Sequence, residues 1–156
     1  MSYNGQQVLK VLLVRHAQSA NNIVQAQVQT KLKGGSTVDM AQSEWLANRQ
    51  DDPDLSADGY DQLQYLRKFS ESLPAKIGCK TFKIYTSPMQ RACSTAKSMV
   101  DGLGCVAECK LELTEVGGVY HAQQDPNGNW VRCNNPKYYL VYIFCTDMGT
   151  SIHIYK

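Results

Sequence analysis

The 156-residue chain has little that would place it in a membrane, on nucleic acid or around a metal. Its longest apolar run near the N-terminus is Val11–Val14, far below the roughly 20 residues that span a bilayer. The opening MSYNGQQ is polar and uncharged, and no small-residue cleavage site follows, so no signal peptide is read there. Neither sign of charge dominates: 16 Lys+Arg against 14 Asp+Glu give +2. With no basic run longer than two residues, the electrostatic footprint of a nucleic-acid binder is missing. There is no C-x-x-C pair to hold zinc, no P-loop and no dinucleotide glycine pattern. The expectation is a soluble, cytoplasmic protein with no nucleic-acid partner, no membrane partner and no metal.

What is present is globular. The chain is 43% hydrophobic and 19% charged, and its length allows one core of ordinary size. Six cysteines, at 79, 93, 105, 109, 133 and 145, read as free thiols in a chain without a secretory signal. Cys93 follows Arg91 by two positions and is the one thiol a neighbouring cation could activate.

Val8–Val14 is nearly continuously apolar and predicts a central strand buried on both faces. Lys10 interrupts it, and the cost of an unpaired buried ammonium predicts that this side chain reaches the sheet periphery. The strand ends in Arg15-His16, at the end where open α/β sheets bind ligands. Residues 23–54 are polar and Gln-rich, and predict loop with helix around Met40–Arg49, broken at Gly34-Gly35 and ended by Asp52-Pro53-Asp54. Ser56 reads as an N-cap. Tyr60, Leu63, Leu66, Phe69 and Leu73 then recur at helical spacing until Pro74. Phe82–Tyr85 reads as a strand and Ser87-Pro88 as the cap and first turn of a helix. Met89, Ala92, Ala96, Met99 and Leu103 form that helix's apolar stripe, with Gly102 and Gly104 at its end. Residues 105–113 alternate like a half-exposed strand near a sheet edge. Beyond Asp125 the asparagines at 127, 129, 134 and 135 break the pattern, although Pro136–Cys145 is compatible with a strand. The order β, loop, α, β, α, β predicts an α/β three-layer sandwich with a mostly parallel central sheet. The expected division is an α/β domain over 1–125 and a divergent tail over 126–156, with the C-terminal part of the fold incomplete.

Three blocks carry chemistry. The first is Leu13-Val14-Arg15-His16-Ala17-Gln18-Ser19, with Asn22 beyond it. The second is Leu55-Ser56-x-x-Gly59-x-x-Gln62. The third is Ser87-Pro88-Met89-Gln90-Arg91-Ala92-x-x-Thr95-Ala96, followed by Leu113-Thr114-Glu115. In this order they resemble the histidine phosphatase superfamily, also called phosphoglycerate mutase-like, over roughly residues 8–120. The resemblance implies a phosphomonoester hydrolase that works through phosphohistidine, on a phosphorylated small molecule or phosphoprotein. It implies His16 as nucleophile, Arg15 and Arg91 as clamps on the phosphoryl group, Asn22 as a polar contact and Glu115 as general acid. No cofactor is required, because the arginines supply the positive charge.

Two departures stand out. Ala17 replaces the glycine usual after the nucleophile. The second catalytic histidine of the family has no counterpart: His121 comes too soon after Glu115, and His153 is followed by Ile154 rather than glycine. A chain cut before that histidine, and either impaired or a non-catalytic phosphate-binding module, is therefore expected. The run Glu115-Val116-Gly117 lacks the arginine of mutase relatives, which ranks a phosphatase above a mutase. Oligomeric state is not readable.

Overall fold

The computed structural model describes residues 9–110, 112–113, 120–134 and 142–146. The chain has an α/β fold. Its elements are β1 (Leu9–Leu13), α1 (Ala20–Lys33), α2 (Val38–Asn48), α3 (Ala57–Ile77), β2 (Phe82–Thr86), α4 (Gln90–Leu103), β3 (Ala107–Cys109), β4 (Tyr120–Gln124), β5 (Trp130–Asn134) and β6 (Tyr142–Thr146).

One sheet has the order β1-β6-β2-β3. Strand β6 is antiparallel to both β1 and β2, and β2 is parallel to β3. β1, β2 and β3 thus run the same way, with β6 reversed between the first two. The strand expected within Pro136–Cys145 is β6, and it lies inside the sheet. A separate antiparallel pair, β4 and β5, turns at Asp125. There the Asp125 carboxylate accepts from the N–H groups of Asn127 and Asn129, which holds its pKa below the usual carboxylate value. Asn127 and Asn129, two of the asparagines that end the sequence pattern, belong to this turn.

The core joins one sheet face to α3 and α4: Leu73, Ile84, Met89, Ala92, Ala96 and Met99 are buried together, with Leu12 and Val14 packed against them. The stripe expected on α4 is the buried one. At Gly102 an added Cβ would lie 2.5 Å from Arg67 O, so this glycine sits inside the helix to let α3 approach, and Gly104 is the C-cap.

Several expectations are corrected. β1 is at the sheet edge among the described residues, with Leu9, Val11 and Leu13 exposed, because an apolar run does not specify how many sides will be paired. Lys10 is exposed and its ammonium donates to Ile77 O, as the cost of burial requires. α3 runs through Pro74 to Ile77. Proline removes its own N–H donor, which weakens a helix without always ending it. Tyr60 and Phe69 on that helix are exposed. Pro88 precedes α4 rather than opening it, and the N-cap is Met89. In residues 23–54 the helix expected around Met40–Arg49 is α2, while the loop expected before it is largely the helix α1. Among the described residues no helix is long and apolar enough to cross a membrane.

Candidate functional site

β1 and β2 point the same way, so the residues after each emerge on one side of the sheet. After β1 the chain passes through Arg15, His16, Ala17 and Gln18 to Ser19, the N-cap of α1. The other two sequence blocks hold this turn. The Ser56 N–H donates to Gln18 O at 2.9 Å, and the Ser56 hydroxyl donates to Gln18 Oε1 at 2.6 Å. Gln62 Oε1 accepts from the Gln18 N–H at 2.9 Å. Beneath them is Gly59, where a Cβ would come within 2.1 Å of Gln18 O, so only glycine permits the approach. From α4, Thr95 Oγ1 accepts from the Ala17 N–H at 3.0 Å and donates to Arg91 O at 2.7 Å. One buried threonine therefore ties the His16 turn to the backbone that carries Arg91. Ala17, at the position where the resemblance implies glycine, keeps its N–H within reach of Thr95.

His16 is half-buried. Its Nδ1 lies 2.7 Å from Ala17 O. A carbonyl only accepts, so Nδ1 carries a proton, which in the neutral ring leaves the lone pair on Nε2. Asn22 Oδ1 accepts from the Ser19 N–H at 2.9 Å and from its hydroxyl at 3.1 Å, which turns its NH2 donors away from Ser19.

These groups meet. Arg15, His16, Asn22 and Arg91 line one cavity of about 180 Å³. Its other wall comes from the segment without motifs: Asn21 and Gln25 of α1, Trp45 of α2, and Arg49 and Asp51 just after it. Three guanidinium groups and one carboxylate make the cavity positive, although the whole chain is near neutral. The volume is below the roughly 300–1,000 Å³ of drug-sized pockets and suits a compact anionic group.

Arg49 is the residue that spacing did not reveal. Its side chain is 2% exposed, with Nη1 3.3 Å from Asp51 Oδ1. It is the C-cap of α2, which accounts for its backbone, but burial of its side chain in a cavity wall is a tertiary property. At the start of α4 the Gln90 N–H donates to the Asp52 carboxylate at 3.1 Å, so the chain itself satisfies that amide. Cys93 is also unlike an activated thiol: burial pushes its pKa up, and its Sγ–H donates to Ser87 O at 3.1 Å. Among the described residues Cys79, Cys93, Cys105 and Cys109 are unbridged, and no group of His, Cys, Asp and Glu could hold a metal ion. Glu115 and His153 lie outside the described residues, and His121 belongs to β4.

The family model of the histidine phosphatase superfamily (branch 1) matches residues 11–126. No curated protein and no solved structure matches the chain.

Proposed function

Because the chain belongs to the histidine phosphatase superfamily (branch 1), we propose that its cavity binds a phosphomonoester and that His16 takes the phosphoryl group. Membership supports chemistry of phosphatase or mutase type. The observation that carries the finer reading is that His16, with its lone pair on Nε2, shares one cavity with Arg15, Asn22 and Arg91.

A phosphomonoester carries nearly two negative charges near neutral pH. Arg15 and Arg91 offer forked donors to its non-bridging oxygens, and Asn22 adds an uncharged donor. Nε2 attacks phosphorus in line with the ester oxygen. The P–N bond forms as the P–O bond breaks, and the leaving alkoxide takes a proton from Glu115 as general acid. Water then attacks the phosphohistidine as the Glu115 carboxylate takes one of its protons, releasing phosphate and restoring neutral His16 and protonated Glu115. The Nδ1 contact with Ala17 O stabilises the positive imidazole ring formed on the way.

The cavity has one imidazole among its described lining residues. A missing preorganised donor costs on the order of 10²–10³ in rate, so turnover is slow. The same observation favours a second reading, a phosphate-binding module that does not turn over. The test is to mix the protein with an aryl phosphate, quench in alkali, where phosphohistidine survives, and map the label by mass spectrometry. Phosphorylated His16 in the native protein and none in His16→Ala supports the enzyme. Phosphate binding without label supports the binding module. Label on another residue, or brisk turnover by His16→Ala, sinks the phosphohistidine route.

A further inference from the structure

We infer that Arg49 is a third phosphate-binding arginine of this cavity, contributed from outside the motif blocks, and that Asp51 holds its guanidinium until an anion arrives. The inference rests on the phosphomonoester reading of the site and adds a residue to it.

The guanidinium of Arg49 is almost wholly withdrawn from solvent, at 2% exposure, yet it lines the same cavity as His16, Arg15 and Arg91. Burying a charge is expensive unless it is well compensated. Its Nη1 lies 3.3 Å from an Asp51 oxygen, and Asp51 is itself 38% exposed. The segment that carries it is held in place. Asn21 Nδ2–H donates to Gln50 O at 2.7 Å, and the Gln50 N–H donates to Asn21 Oδ1 at 2.8 Å. This reciprocal pair fixes the backbone beside Arg49 to the first turn of α1, next to the His16 turn. The Trp45 ring lies 6.0 Å from Arg49 Cζ, within reach of a cation–π contact.

The charge balance agrees. With His16 neutral, three arginines and Asp51 give the described lining residues an excess of two positive charges, matching the nearly two negative charges of a phosphoryl group. Without Arg49 the lining falls one charge short.

The test uses the full chain and inorganic phosphate as the probe, with binding measured by calorimetry at fixed salt. Arg49→Gln weakens phosphate binding by about 10- to 100-fold, as expected for loss of a charge-assisted hydrogen bond. Arg49→Lys lies between it and the native protein. Asp51→Asn tightens binding by about fivefold, because it removes a like charge from beside the anion. Misfolding does not produce a gain, so this variant decides the matter if Arg49→Gln fails to fold. Unchanged affinity in Arg49→Gln, or unchanged or weaker affinity in Asp51→Asn, overturns the role of Arg49. If Arg91→Gln loses binding in the same series, the reading of the site stands without it. Absence of phosphate binding by the native protein overturns both.

Discussion

The pair α3–α4 and the pair α1–α2 are both packed helical pairs, and they are built differently. α3 and α4 enclose most of the core, with Leu73, Ala92, Ala96 and Met99 all buried. They approach closely at Gly102, and α3 opens on a serine cap in which Ser56 Oγ accepts from the Gly59 N–H. α1 and α2 bury only Val28, Ala41 and Leu46, and leave Ile23, Val38 and Met40 exposed. Individual polar links help hold them: Asn21 with Gln50, Lys31 with Glu44 at 2.5 Å, and the Ala20 N–H to Asp54 O at 3.0 Å. The first pair is the scaffold of the site and the second is its wall. A wall must keep polar side chains facing a cavity, and doing so erases the hydrophobic period by which a helix is recognised.

Core truncation gives the largest contrast. Met99→Ala, at a position with no exposure, costs roughly 2–5 kcal/mol in urea unfolding. Ile23→Ala, at 41% exposure, stays within about 0.5 kcal/mol. Equal losses at the two positions would erase the distinction between scaffold and wall.

A smaller effect tests whether the scaffold reaches the chemistry. Thr95→Val removes the hydroxyl that joins the Ala17 N–H to Arg91 O. It destabilises by about 1–3 kcal/mol through the donor left unsatisfied, and it lowers the yield of phosphorylated His16. Thr95→Ser keeps both hydrogen bonds and restores the yield. Full labelling in Thr95→Val would show that the His16 turn is held well enough by Gln18 alone.

The smallest effect is a pH dependence belonging to the scaffold. Burial raises the Cys93 and Cys105 thiols above their unfolded values. A raised folded-state pKa gives a contribution that is intact below the unfolded thiol value, about 8.5. It is lost as pH rises through the folded value, because the unfolded chain gives up its proton first. Melting temperature therefore drops above about pH 8.5, and Cys93→Ala flattens that drop. A slope unchanged in Cys93→Ala would place the titration elsewhere.

The legible parts of the molecule follow this division. Ser56 and the α4 stripe were readable because caps and helical spacing are local rules. Arg15, His16 and Arg91 were readable because three blocks occur in a family order, and the structure explains the blocks as one clamp: Ser56, Gly59 and Gln62 hold Gln18, and Thr95 holds Ala17. α1 was missed because Asn, Gln and Lys cover it. The burial of Arg49 was missed because its neighbours come from two helices and a turn. β1 was misplaced because its apolar run looks the same in a central strand and in an edge strand.

By itself the sequence determined the α/β character, the α3 cap, the α4 stripe, and the identities and order of the residues proposed to handle phosphate. These depend on side-chain type and on spacings of a few residues, and no distant partner changes them. Tertiary structure alone decided that β6 enters the sheet between β1 and β2, that Asp52 accepts from the Gln90 N–H at the start of α4, and that Arg49 is buried in the wall opposite the motif blocks. Each of these depends on groups far apart in the chain, such as Gln90 and Asp52. Their meeting is set by how the helices and strands pack, which no local pattern encodes.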